Sequence, residues 1–443
     1  MDERTMRYAG ELSRMIRCET ISVKGQNDYE KFYRFQELLR ELFPALFAAC
    51  TEEVFHGSLL LHWPGEHPEK APVLFMNHQD VVPVSGEWEH EPFSGDIADG
   101  KIWGRGTLDD KGGLWAMLRA ADELAAEGFV PDCDIWFESA DAEEINGNNG
   151  EGADEISQIL QERGIRFAFV LDEGGMIVKE PMLGAKGSYA MIGCGEKGTA
   201  DLKIIARSRG GHASTPPKDT PLVRLGKFMA ECDENRMFTV EMNPTVQEMF
   251  RRVSVGVDGL LKNVLSKPDV YKLPLEGIMN RTSPEGAAML RTTLAFTMAQ
   301  GSDGHNVLPQ EAWVLGNMRT SHHQGFDDSL AAVKKVAGKY DLEVEVQLRG
   351  FTSPVTSFKC LGFRMLEQAV KELFPGVVPV PYIMNGASDA RFMSRVSDNC
   401  LRFAPFSISR EQMQSVHGPN ENLDLAALAP AVDFYRWMMT HVG

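Results

Sequence analysis

No apolar run in the 443-residue chain approaches the roughly 18 residues that a membrane-spanning helix needs. The opening Met1-Asp2-Glu3-Arg4 lacks the pattern of a secretory leader. Basic residues are in deficit: 45 Lys and Arg against 63 Asp and Glu leave a net charge of −18. That balance argues against a nucleic-acid or anionic-membrane partner, since either needs a basic face. Cysteine is sparse. Seven of them (Cys18, Cys50, Cys133, Cys194, Cys232, Cys360, Cys400) are scattered without CxxC spacing, an odd count that reads as reduced thiols and a cytoplasmic protein. What remains is soluble and globular in composition, with 43% hydrophobic and 24% charged residues. At this length two domains are expected rather than one core.

Against those absences stands the stretch from Gly104 to Gly113, in which Asp109 and Asp110 lie between glycine pairs. Glycine permits positive φ and close backbone approach, so these carboxylates can be aimed from a tight turn. The apolar run Val73–Asn77 delivers His78 and Asp80; the run Ile135–Phe137 precedes Glu143-Glu144; the run Phe167–Leu171 delivers Asp172 and Glu173. In an open α/β sheet, strand ends of this kind are where sites are built. Any one of these aspartates reads as a turn former or a helix N-cap. Five such groups in one order, ending at His417, point instead to a divalent metal pair held by oxygen and imidazole. A shared carboxylate with two further ligands per ion is the economical way to hold such a pair about 3.5–4 Å apart for hydrolysis. Glu143 and Glu144, being adjacent, cannot point the same way on a strand and lie about 100° apart on a helix, which suits two different jobs.

Together these segments resemble the M20 family of co-catalytic metallopeptidases, and within it the carboxypeptidase S-like branch of Gly-Xaa carboxypeptidases and N-acyl-amino-acid hydrolases. The resemblance is carried by Asn77–Val84, Pro92–Gly95, Asp99–Gly112, Glu143-Glu144, Leu171–Gly175, Glu196-Lys197-Gly198, Gly211–Ser214, Asn306–Pro309, Asn317–Arg319, Ala387–Arg391 and His417-Gly418, in family order over nearly the whole chain. It implies two divalent cations, zinc first with cobalt or manganese as alternatives. His78 and Asp172 would ligate one and Glu144 and His417 the other, with Asp109 bridging. It also implies Asp80 orienting His78, Glu143 as general base, and a cis peptide at Asp109–Asp110. The loop 145–153 is looser than the family's usual glycine run, which leaves the local pocket shape open.

The fold so implied is α/β: a zinc-exopeptidase-like catalytic domain, with a mixed sheet between helices, from residues 1–195 and 352–443. An inserted α+β ferredoxin-like lid and dimerisation domain spans 196–351. Its strands are expected at Ala200–Ala206, Met289–Met298, Ala312–Arg319 and Leu342–Leu348, with extra chain between Pro244 and Pro284. Helices are expected over Glu3–Ile16, Tyr29–Phe43, Gly113–Glu127 and Leu361–Phe374, and a closing one over Leu423–Val442, kinked at Pro430. By the resemblance, His212 stabilises the oxyanion in the partner subunit of a homodimer, while Arg319, Asn306 and the turn at Gly386 and Ser388 bind the substrate's free carboxylate. His322-His323 reads as a solvated pair, and His62 as a hydrogen-bonded strand residue. The substrate would be a small peptide or an N-acyl amino acid. An aminoacylase, a desuccinylase and an inactive metal-binding protein are the competing readings; the last should have lost Glu143 or a ligand, and none is missing.

Overall fold

Three fully buried strands, Val73–His78, Ile135–Ala140 and Phe169–Asp172, run parallel in the middle of the larger sheet of this computed structural model, which describes residues 2–25, 28–145, 150–181, 184–234, 237–282, 284–350 and 352–443. Burial on both faces explains why they read as continuous apolar runs rather than as alternation. The sheet has ten strands, in the order Thr51–Phe55, Ser58–Trp63, Ile135–Ala140, Val73–His78, Phe169–Asp172, Cys400–Arg402, Ser188–Glu196, Ile177–Lys179 and Ser407–Ile408, with Val377–Met384 parallel to Ser188–Glu196. His78 and Asp172 are the last residues of their strands, and Glu143-Glu144 follow the end of theirs.

Helices cover both faces. Glu3–Ile16, Lys111–Ala126, Leu361–Leu373 and Leu428–His441 bury one face in a single core with Trp115, Phe75, Phe137, Phe363 and Tyr435. Gly152–Glu162 and Ala390–Met393 close the other over Leu74, Met76 and Val170. The first helix has its expected bounds because Asp2 caps the Thr5 amide at 2.7 Å and Tyr8, Leu12, Met15 and Ile16 recur on its inner face. The closing helix differs from expectation. It begins at Leu428, preceded by the short strand Asn422–Asp424, so Pro430 falls in its first turn, where the missing N–H costs nothing, and no kink is needed.

Between Gly198 and Arg349 the chain forms a second, four-stranded sheet in the order Thr293–Gln300, Glu311–Thr320, Gly198–Arg207, Glu343–Arg349, wholly antiparallel. With Pro221–Glu234 and Gly325–Gly338 on one face this is the β-α-β-β-α-β, ferredoxin-like unit. The first two residues of the expected strand 289–298 belong instead to the helix Pro284–Leu290, and the strand starts at Thr293. The extra chain folds into the helices Pro244–Val253, Gly259–Leu265, Lys272–Thr282 and Pro284–Leu290. They pack on the large sheet, where Val246, Met249 and Phe250 share a core with Tyr189, Val380 and Ile383. Residues 146–149 of the loop after Glu144, and residue 351 at the expected domain boundary, lie outside the described residues. Among the described residues no helix is long and apolar enough to cross a membrane, and the seven cysteines are free thiols.

Candidate metal centre

His78 is buried at its strand end with Nδ1 2.9 Å from the carbonyl oxygen of Asp80. A carbonyl can only accept, so Nδ1 carries a proton and Nε2 is the nitrogen left to face the centre. It lies 2.9 Å from Asp109 Oδ1. The other oxygen of Asp109 lies 3.0 Å from His417 Nε2, which in turn lies 3.1 Å from Glu144 Oε2. One carboxylate therefore spans two imidazoles, and the ligand atoms of His78, Asp109 and Glu144 all fall within 4.8 Å of one another. The turn that carries Asp109 uses positive φ at Gly104 and Gly106, and the Asp109–Asp110 peptide is cis as the resemblance implied.

The electrostatics fit a cation. Burial pushes the His78 imidazole down, but hydrogen bonds to Asp109 and Asp80 prevail and raise it well above its ordinary value. His417 rises to about 10 through its hydrogen bonds to Asp109 and Glu144. Burial opposes ionisation of Asp109, yet the two imidazoles hold its carboxyl below the usual range. Burial, and then Asp109, raise Glu144 to about 7, and Glu144 Oε1 is buried without a hydrogen-bond partner among the described residues. Each imidazole nitrogen set 2.9–3.1 Å from a carboxylate calls for positive charge between them, which a proton supplies here and a cation would supply in its place. A thiolate-free set of nitrogen and oxygen donors suits a divalent metal.

Asp80 does more than orient His78. It is fully buried, 3.4 Å from His78 Nδ1, and its two oxygens accept the amides of Glu143 at 3.3 Å and Glu144 at 3.2 Å. It thus ties the end of one strand to the Glu-Glu turn after the next. Glu143 is raised well above its ordinary value by burial first, and by Asp389 and Glu144, against His78 and Arg391; Arg391 Nη1 lies 3.8 Å from its carboxylate. Asp172 is buried, and its oxygens accept the amides of Glu173 at 2.9 Å and Ala390 at 2.6 Å, the latter capping the short helix Ala390–Met393.

The residues expected to bind substrate are dispersed. Arg319, half-buried on the lid sheet, donates to Asn317 Oδ1 at 3.1 Å and Thr199 Oγ1 at 2.9 Å; burial lowers its pKa, and the charges of Arg391, Glu196 and Glu143 act on it. Ser388 turns inward: its amide and hydroxyl both donate to Glu196 Oε2, at 2.9 and 2.8 Å. Gly386 is exposed, with open space where a side chain would begin. His212 and Asn306 lie together at an exposed pairing of two short antiparallel strands, where the Ala213 amide donates to the Asn306 carbonyl at 2.9 Å and the His212 ring meets Ser214 Oγ at 2.7 Å. The pair His322-His323 is only partly exposed: burial pushes His322 down to about 4, and His323 Nε2 donates to the Thr239 carbonyl at 3.1 Å. His62 is the hydrogen-bonded strand residue expected, 2.9 Å from Asp134 and stacked on Trp136.

Several buried ions escaped the sequence reading. Glu421 pairs with Arg105 at 2.6 Å, and Arg402, with no exposed surface, donates from Nε to Glu196 and to Ser388 Oγ, each at 3.1 Å. Their only signal was position: Glu196 opens the Glu196-Lys197-Gly198 motif, Glu421 follows His417-Gly418, and Arg402 ends a short apolar strand.

The profile of peptidase family M20/M25/M40 matches residues 74–441. Human N-fatty-acyl-amino acid synthase/hydrolase PM20D1 is 31% identical over 407 residues, covering 90% of this chain and 80% of that protein. Probable carboxypeptidase S-like 2 of Dictyostelium discoideum is 30% identical over 445 residues, covering 96% and 83%. Among solved structures, the M20 family metallo-carboxypeptidase Sso-CP2 from Sulfolobus solfataricus superposes with a TM-score of 0.71 at 18% identity, covering 99% of both chains. Human carnosine dipeptidase 1 does so with a TM-score of 0.68 at 15% identity, covering 99% and 96%. The chain belongs to peptidase family M20/M25/M40, and it is a metal-dependent peptidase or amidohydrolase.

Proposed function

We propose that this protein hydrolyses the amide bond before a C-terminal amino acid with a free carboxylate, in a small peptide or an N-acyl amino acid. The observation that carries the reading is the Asp109 carboxylate spanning His78 and His417, with Glu144 closing the set at 3.1 Å. Two divalent cations, zinc first, would be held there, one by His78 and Asp172, the other by Glu144 and His417, with Asp109 shared. When bound they supply Lewis acidity at the scissile carbonyl and lower the pKa of water.

The chain's own residues do the rest. Glu143, partly buried and beside Arg391, accepts a proton from the attacking water and returns it to the amide nitrogen as the C–N bond breaks. Asp80 keeps His78 in the tautomer that frees Nε2 and fixes the backbone of both glutamates. Arg319, Asn306 and the backbone at Gly386 bind the carboxylate, for which a guanidinium fork is better suited than a lysine. Ser388 holds that turn against Glu196. Residues 1–195 and 352–443 act as the catalytic unit and 196–351 as the lid, which brings His212 to the oxyanion of a partner subunit in a homodimer. Human PM20D1 and the carboxypeptidase S-like relatives support substrates of this class by their names.

The test compares an N-acyl amino acid with the same compound amidated at its carboxylate. The reading expects amino-acid release from the first and none from the second; equal cleavage of both would overturn the carboxylate requirement.

A further inference from the structure

Glu421 ligates nothing in the centre just described, yet its carboxylate is fully buried and takes four donors. Oε2 accepts from Arg105 Nη1 at 2.6 Å and the Gly106 amide at 3.0 Å; Oε1 accepts from the amides of Leu108 at 2.8 Å and Asp109 at 3.1 Å. Arg105 passes its other nitrogen, Nη2, to the Gly418 carbonyl at 3.1 Å, and the Gly104 amide donates to the Glu421 carbonyl at 2.9 Å. A single buried ion pair thus sews the turn of Asp109 to the turn of His417 across more than 300 positions of sequence.

The two histidines depend on this seam unequally. The His78 side chain is 2% exposed, sits at the end of a central strand, and has Nδ1 fixed by the Asp80 carbonyl. The His417 side chain is 52% exposed and its backbone is left-handed, with φ 61°. Among the described residues nothing fixes its Nδ1, so the only ring contacts it makes are to Asp109 and Glu144. A metal-binding imidazole is ordinarily oriented through its second nitrogen. Here the orientation comes from the backbone turn instead, and that turn is held by Arg105 and Glu421.

We infer that the Arg105–Glu421 pair is the positioning device for the cation held by His417 and Glu144, and that this is the weaker and more exchangeable of the two. The inference rests on the two-cation reading above. The geometry gives the asymmetry: loss of the pair strips the His417 turn of its side-chain bonds to Arg105 and holds the shared Asp109 less firmly, whereas His78 keeps its strand and its Asp80 contact.

The experiment is a calorimetric titration of the metal-free full chain with zinc chloride. Wild type shows two steps, and His417→Ala removes the weaker, which identifies it. In Glu421→Gln the new NH2 faces two donors whichever way the amide turns, so the weaker step falls by about 10–100-fold and the tighter one, which shares Asp109, falls by less. Arg105→Lys keeps the charge but loses the fork, and moves the same step in the same direction by less; it carries the test if Glu421→Gln does not fold. Equal shifts in both steps, a shift in the tighter step alone, or no shift in either overturns the inference. A wild type that binds one cation per chain refutes the two-cation reading itself, a result that no behaviour of the Glu421 variant can mimic.

Discussion

Asp80→Asn isolates what a buried carboxylate contributes without being a ligand. The substitution keeps the volume and one oxygen, so it opens no cavity. It replaces the other oxygen with a donor, which then faces either the Glu143 or the Glu144 amide, now at 3.3 and 3.2 Å from an acceptor. A hydrogen bond to a charged acceptor contributes about 1.5–3 kcal/mol, and a buried N–H left without a partner costs about 1–3 kcal/mol. The two bonds are long, so the low end applies, and a destabilisation of about 2–3 kcal/mol follows. The negative charge 3.4 Å from His78 Nδ1 is lost as well, although the ring keeps the Asp80 carbonyl at 2.9 Å. Zinc affinity should therefore fall by about 10–100-fold rather than vanish. Denaturant unfolding of the metal-free protein reads the first effect, and zinc titration the second. An unchanged unfolding midpoint together with unchanged zinc affinity would refute the cross-brace.

Two further outcomes follow from buried charges away from the ligands. Arg402→Met leaves Glu196 without its guanidinium partner, at 3.1 Å in a site with no exposure on the arginine side, and should cost about 3–5 kcal/mol; adding Glu196→Gln should restore part of the unfolding midpoint, and an unchanged midpoint in the single variant would refute the pairing. Lys197 is buried, and burial first, then Arg319 and Arg291, push its ammonium down from 10.5 to about 7. Its folded pKa lies below its unfolded one, so its contribution is fully present above pH 10.5 and is lost as pH falls towards 7. The unfolding midpoint of the metal-free wild type, measured relative to Lys197→Met, should therefore rise between pH 7 and pH 9.5; parallel profiles would refute the shift.

The sequence was most legible where one residue type had one physical reason to be there. Runs such as Val73–Asn77 admit only a strand buried on both faces, and a polar group at the end of such a strand has to lie at the sheet's carboxyl edge. His78, Asp109, Glu144 and His417 accordingly meet in space. The ferredoxin-like unit was readable from alternation in Ala200–Ala206 and Ala312–Arg319, since one face of its sheet is covered and the other open. Boundaries failed where two elements share composition: Pro284–Leu290 and the strand from Thr293 are both apolar, and only the break at Arg291-Thr292 divides them. The seat of the helices 244–290 was illegible, because their amphipathic faces fit either sheet and tertiary contact with Val380 and Ile383 decides. Glu421 was illegible for a different reason. Its role is set by backbone amides more than 300 positions away, and no local pattern encodes which amides a carboxylate will meet.

In the proposed function Glu143 moves the proton and other residues hold the cations. That division is tested most directly by loading wild type and Glu143→Ala with zinc, measuring the metal content of each, and following amino-acid release from a mixed panel of dipeptides and N-acyl amino acids. The account predicts equal zinc in both proteins, release by wild type, and a loss of turnover in the variant of at least about 100-fold, the lower range for a positioned acid–base group. Release by Glu143→Ala at the wild-type rate, or no release by a wild type carrying its full zinc, would contradict it.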